Sequence, residues 1–188
     1  MASTTEARDG ARTKEQILSV ALELFITKGF EGTSVRDIAD ALSITPSALY
    51  YHFKGKEEIA TSLLEQRRHE LDELTHWIKA QPRTADLPRV AALRWIDHAT
   101  PAQIQAMRFA GSNRPFMQKL GEKGELLRSG FASVEDALLP PKSSTIERMR
   151  IRMLLDTLGS ALRAAEGTDA TFEEILSAAK SAASSMTI

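Results

Sequence analysis

The chain contains no cysteine. Disulfide frameworks, thiolate zinc sites and cysteine nucleophiles are therefore excluded together, and the composition fits a reducing compartment. No apolar run approaches the ~18 residues of a membrane-spanning helix. The first ten residues lack the apolar core of a secretory signal. A soluble, cytoplasmic protein with no membrane partner is expected. An excess of one charge is missing too: 24 Lys and Arg stand against 25 Asp and Glu, a formal net charge of −1. The global basicity of many nucleic-acid binders is thus absent, and charge has to be read locally. No run alternates as a strand does, and no internal repeat is present. Gly-x-Gly-x-x-Gly, Gly-x-x-x-x-Gly-Lys-Ser/Thr, His-Glu-x-x-His and Gly-x-Ser-x-Gly are all absent. Neither an enzyme nor a bound cofactor is expected.

What is present is helical. The 188 residues are 43% hydrophobic and 26% charged, ordinary for a globular chain long enough for a small domain beside a larger one. Residues 1–12 are polar and aperiodic and read as a flexible arm, whose Arg8 and Arg12 are available to a DNA groove. Thr13 and Gln16 have capping-box spacing. Ile17, Leu18, Ala21, Leu22, Leu24 and Phe25 then follow helical periodicity up to Gly29. Ser34 caps a second helix with Asp37 in its first turn, and Val35, Ile38, Ala39 and Leu42 form its apolar stripe. After a short turn at Ser43 and Ile44, Thr45 caps a third helix with Pro46 at its first position. Three helices in about 45 residues, the last two joined by a tight turn, form a helix-turn-helix pattern. Residues 1–56 hold seven bases and seven acids, but Leu42 to Lys56 holds His52, Lys54 and Lys56 and no acid.

The stretch from Thr33 to Ile59, Thr-Ser-Val-Arg-Asp-Ile-Ala-Asp-Ala-Leu-Ser-Ile-Thr-Pro-Ser-Ala-Leu-Tyr-Tyr-His-Phe-Lys-Gly-Lys-Glu-Glu-Ile, resembles the DNA-binding signature of the tetracycline-repressor (TetR/AcrR) family. The helix from Ile17 to Gly29 looks like that family's first helix. The resemblance implies an N-terminal DNA-reading head at 13–55 and a helical effector-binding and dimerisation domain at 56–188. It implies DNA contacts from Arg36 at the start of the second helix. Thr45, Pro46, Ser47 and Ala48 would open the recognition helix, with Tyr50, Tyr51 and His52 on the backbone or groove wall. Lys56 would grip phosphate at the start of the fourth helix. Leu49 and Phe53 look like internal packing residues. Gly55 replaces the Ser or Asn common in the family, and still caps acceptably. Residues 45–53 contain no Arg, Asn or Gln, the strong base discriminators. Specificity through hydroxyl, methyl and water-mediated contacts and through DNA shape is the consequence.

Beyond Gly55 the helical patterns run over 56–80, 87–99 and 102–109, then an interrupted stretch 114–139 with Gly121, Gly124 and Gly130. A continuous amphipathic pattern covers 144–166, and a last one covers 171–184. Trp95, His98, Met107 and Arg108 are candidate effector ligands, with Asn113, Phe116, Met149 and Met153, because methionines and aromatics suit an adaptable apolar pocket and the polar members supply handles. Plain core packing is the competing reading for most of them. Glu73 and His76 form one Glu-x-x-His element, but a second copy, needed for a di-iron bundle, is missing. Together with His69 they read as a solvated face, and no metal is expected. The small residues of the last two patterns, from Gly159 to Ala183, suit close helix packing. The resemblance implies that this packing is a homodimer interface, while packing within the chain serves equally well from the sequence alone.

The expectation is an all-α protein with a three-helix head and a larger helical domain. It would bind a near-palindromic operator in double-stranded DNA as a homodimer, most simply as a repressor released by a small molecule. One rival keeps the head but gives the larger domain a protein partner or no effector. Another is a helical enzyme or carrier without a DNA role. The sequence names neither effector nor operator.

Overall fold

The structure, a computed structural model, describes residues 2–112 and 122–187. All regular structure among them is helical. The helices are α1 (Ala2–Thr27), α2 (Val35–Ala41), α3 (Pro46–His52), α4 (Lys56–Lys79), α5 (Leu87–Asp97), α6 (Pro101–Ser112), α7 (Glu122–Leu138), α8 (Thr145–Leu155), α9 (Thr157–Ala164) and α10 (Phe172–Ser185). Among the described residues no helix is long and apolar enough to cross a membrane.

The chain forms two compact units. The first comprises Met1–Gln66 and Gln105–Gly124, the second Arg67–Ile104 and Glu125–Ile188. The division differs from the expected boundary after Gly55. The first part of α4 stays with the head because Ile59, Ala60 and Leu63 are buried in its core, and the end of α6 joins it through Phe109.

The core of the first unit follows the helical periodicity read from the sequence. Ile17, Leu18, Ala21, Leu22 and Phe25 of α1 meet Ile38 and Ala39 of α2, Leu49 of α3 and the nearby Phe53. Phe25, Phe30 and Phe109 form an aromatic cluster, with centroids 5.1 Å apart for Phe25–Phe30 and 5.3 Å for Phe25–Phe109. One expectation is corrected here. Helix α1 begins at Ala2, so Thr13 lies within a helix rather than at its cap, and 2–12 is no irregular arm. Ala, Glu and Arg dominate that stretch, no proline interrupts it, and extending an existing helix is cheap once it is nucleated. Gly29 closes α1 at φ +79°, a conformation costly for residues with a Cβ.

In the second unit, α10 packs on α9 and α5, and α5 on α8. Ser144–Glu147 and Thr171–Glu174 are full capping boxes that start α8 and α10. The expected single helix over 144–166 is bent at Asp156. Backbone bonds continue through the bend, with Asp156 N donating to Arg152 O at 3.0 Å and Ser160 N to Asp156 O at 2.8 Å. Thr157 Oγ1 also donates to Leu154 O at 2.9 Å. Such back-bonding from a hydroxyl bends helices without ending them. Conversely, Gly124 and Gly130 do not interrupt α7.

Candidate functional site

The first candidate site is the exposed face of the helix-turn-helix. Ser34 Oγ accepts from Asp37 N at 3.1 Å, and the Asp37 carboxylate accepts from Ser34 N at 2.9 Å, so α2 starts in a complete capping box. Lys28 Nζ donates to the same carboxylate at 2.8 Å. Lys28, and then Ser34, hold Asp37 well below the usual carboxylate range. The start of α2 is thereby tied to the end of α1, and Arg36, exposed on its first turn, is carried by that tie.

Helix α2 ends in a Schellman motif. Ser43 N donates to Asp40 O and Ile44 N to Ala39 O, each at 3.0 Å. Ser43 stands at the left-handed position with φ 56°, where glycine is usual. This motif sets the tight turn into α3. Thr45 Oγ1 then accepts from Ala48 N at 3.1 Å, and Pro46 occupies the first turn, as its sequence position requires.

Of the seven residues of α3 only Leu49 is buried. Pro46, Ser47, Ala48 and Tyr50 are exposed, His52 is half-buried, and Tyr51 is 86% exposed. Burying an aromatic ring stabilises a fold strongly, so a short helix that leaves two tyrosines in water is shaped by something other than its own stability. The sequence had placed at most one tyrosine inward; the structure leaves both outside because Leu49 and Phe53 already fill the inner stripe. Around this face lie Arg36, Lys28 and Lys54. Lys56 behaves differently: its Nζ turns inward and donates to Phe30 O at 2.8 Å.

The second site lies within the second unit. A half-open cleft of about 210 Å³ is lined by Glu70, Glu73 and Leu74 of α4, Arg94 and Trp95 of α5, His98 just after it, and Gln103 of α6. Arg67 pairs with Glu70 at 2.9 Å and lies 3.9 Å from the Trp95 ring centroid. Burial lowers the Arg67 pKa, and Glu70 opposes that shift. Arg94 stacks over Trp77 at 4.7 Å. His98 Nδ1 is 2.9 Å from Arg94 O. A carbonyl only accepts, so Nδ1 carries the proton and Nε2 of neutral His98 is an acceptor.

Of the expected effector ligands, Trp95 and His98 line this cleft. Met107 and Arg108 belong to the first unit. Met149 and Met153 are exposed on the outside of α8, so their place is a surface and not a cavity. Asn113 and Phe116 lie outside the described residues. Glu70, Leu74, Arg94 and Gln103 were not anticipated. A helical signal existed, since Arg94 precedes His98 by four residues and Glu70 precedes Leu74 by four. Glu73 pairs with His69 at 3.5 Å, and no group of three or more metal-ligating side chains occurs among the described residues.

With this geometry in hand, known proteins can be compared. The family model for bacterial regulatory proteins of the tetR family matches residues 17–63, the span that holds the helix-turn-helix. The chain is 45% identical over 49 residues to the HTH-type transcriptional regulator TcmR of Streptomyces glaucescens, covering 26% of this chain and 22% of that protein. It is 41% identical over 63 residues to the HTH-type transcriptional repressor KstR2 of Rhodococcus jostii, covering 34% of this chain and 30% of the other. These matches therefore span less than a third of the relatives' length. The solved ketosteroid transcriptional regulator KstR2 of Mycobacterium tuberculosis shares the fold, with TM-score 0.66 at 19% identity over 91% of this chain and 92% of that one.

Proposed function

The chain belongs to the TetR/AcrR family of bacterial regulatory proteins, and on that premise we propose that it is a DNA-binding transcriptional regulator, a repressor that leaves a near-palindromic operator when a small molecule binds. The observation that carries the reading is α3, which buries Leu49 alone and turns Ser47, Ala48, Tyr50 and Tyr51 outward. Tyrosine and serine hydroxyls suit phosphate and base edges, and the Ala48 methyl suits a thymine methyl. Arg36 and Lys54 supply the salt-dependent attraction.

Two copies would present two such helices about 34–36 Å apart, one major-groove turn. The second unit offers a face for this pairing. Ile146, Met149 and Met153, spaced i, i+3 and i+7 on α8, are all exposed. On α10, Ala179 and Ala183 are buried while Ala178 and Ala182 are outward, so its small residues serve packing within the chain on one side and leave a smooth surface on the other.

The cleft beside Trp95 takes the effector. At about 210 Å³ it is smaller than the ~300–1,000 Å³ of drug-sized sites, which favours a metabolite-sized ligand. Its carboxylates and guanidinium favour a polar one. A tenfold loss of operator affinity needs only about 1.4 kcal/mol of differential binding between the two conformations. The apolar α8 face supports one other reading, in which it receives a protein partner.

The test is fluorescence anisotropy with DNA flanking the protein's own gene against scrambled DNA. Tyr51→Ala is expected to weaken specific binding at least about tenfold, a loss of about 1.4 kcal/mol, with an unchanged melting temperature. Equal affinity of variant and parent for the specific fragment would remove α3 as the reader. A metabolite screen by thermal shift separates the effector reading from the partner reading, since a ligand of the native state raises the melting temperature.

A further inference from the structure

We propose that Lys56 is a positioning residue, an internal clamp on the loop between α1 and α2, and that it acts on DNA through that loop rather than by gripping phosphate. Its consequence at DNA rests on the regulator reading above; the clamp itself does not.

Lys56 opens a helix of 24 residues. A cation there faces the positive end of the helix dipole and is disfavoured unless something else holds it. Here the loop holds it. Nζ donates to Phe30 O at 2.8 Å, lies 3.5 Å from Glu31 O and 3.8 Å from the Glu31 carboxylate, and stands 4.6 Å from the Phe30 ring centroid. The side chain is only 17% exposed. A lysine that serves phosphate keeps its ammonium in water on a flexible stem; this one has folded its ammonium onto a carbonyl and a ring.

The loop it holds has little freedom of its own. Gly29 is left-handed, and a Cβ on Gly32 would collide with the Lys28 carbonyl. Buried Thr33 donates through Oγ1 to Gly29 O at 2.8 Å and to Leu24 O at 3.1 Å. The Phe30 carbonyl that Lys56 grips accepts otherwise only a long bond from Thr33 N, at 3.4 Å. The Phe30 ring is anchored on Phe25 and Phe109. Ser34 and Asp37 follow directly, so the path of 29–33 decides where α2 begins and where Arg36 is presented. Removing the ammonium leaves that carbonyl with its weak bond alone and frees the entry to α2.

The experiment compares the full-length parent with Lys56→Met, which keeps the stem on Phe30 but removes the donors, and with Lys56→Arg, which restores charge and donors. Lys54→Ala serves as the exposed-lysine control. Hydrogen exchange of the 30–34 amides is read in the free protein, and operator affinity is read across a salt series. The clamp predicts exchange at 30–34 at least about tenfold faster in Lys56→Met, weaker binding, an unchanged slope of log affinity against log salt, and recovery in Lys56→Arg. A slope smaller by about 0.9 for each contact removed, with exchange unchanged, identifies a phosphate contact and overturns the proposal. Unchanged exchange alone also overturns it. Should Lys56→Met fail to fold, Lys56→Gln decides: it keeps a donor without charge, so an unchanged salt slope supports the clamp and a reduced one overturns it. If the parent binds no DNA, the regulator reading falls while the exchange data still judge the clamp.

Discussion

Ser43 occupies a backbone conformation that a residue with a Cβ adopts at a cost of ~1–2 kcal/mol, with φ 56° in the turn between α2 and α3. Glycine removes that cost but loses about 0.5–1 kcal/mol through its freer unfolded chain. Ser43→Gly is therefore expected to stabilise the protein by up to about 1 kcal/mol, read as a higher urea midpoint; a lower midpoint contradicts the strain argument. Asp37 makes a second prediction at this scale. Lys28 and Ser34 favour its carboxylate, so its folded pKa lies far below the ordinary value near 3.8. A group with a depressed folded pKa contributes stability that is fully present above its unfolded pKa and is lost as pH falls toward the folded one. The parent should exceed Asp37→Asn in stability by a constant margin above about pH 5, and the margin should shrink steadily in acid below that. A margin that does not depend on pH would show that the tie to Lys28 and Ser34 contributes nothing.

Elements were legible wherever caps and periodicity agreed. Ser34 with Asp37, Thr45 with Pro46, and the Ile17 to Phe25 stripe all produce the helices that their local chemistry dictates. The misreadings came from residues whose effect depends on what lies across from them. Gly130 looks like an interruption, yet it lies within α7, and a Cβ there would come 2.8 Å from Leu71 Cδ1 and 3.2 Å from Arg68 Cδ. Its value is close approach to α4, fixed also by the 2.6 Å bond from Arg68 Nη1 to Ser129 Oγ. Gly130→Ala gains about 1 kcal/mol of helix propensity but overpacks a buried leucine at about 1–3 kcal/mol. A lower melting temperature is expected, and a higher one would mean that Leu71 moves aside freely. The bend at Asp156 was equally hidden, since the amphipathic pattern continues through it. There Asp156, Ser160 and Arg163 bond one another, with Arg163 Nη2 at 2.5 Å from the Asp156 carboxylate.

For the whole molecule, the exposed apolar face of α8 bears on assembly. Lysine at both Met149 and Met153 would place like charges opposite each other across a symmetric interface, since a two-fold contact repeats every substitution. Sedimentation at micromolar concentration should then give a monomer that keeps its helical content, because both side chains are exposed and support no internal core; Met153 is 61% exposed. A double variant that sediments as a dimer would move the interface elsewhere. The same face shows why Met149 and Met153 read as pocket residues from the sequence: methionine at helical spacing marks an apolar face but not what covers it.

Short-range chemistry was determined by the sequence alone. Hydroxyl caps, proline at a first turn, glycine after a last turn and the spacing of apolar side chains act over a few bonds and turns, so the all-α class and the helix-turn-helix could be read directly. Tertiary structure decided what depends on approach between distant segments. It turned the Lys56 ammonium onto Phe30, 26 positions earlier in the chain. It joined Phe109 to the core of the first unit and brought Glu70 to one cleft with Arg94 and His98. It left Met149 and Met153 outside. A side chain's partner across space depends on how helices pack, and no periodicity along one helix contains that information.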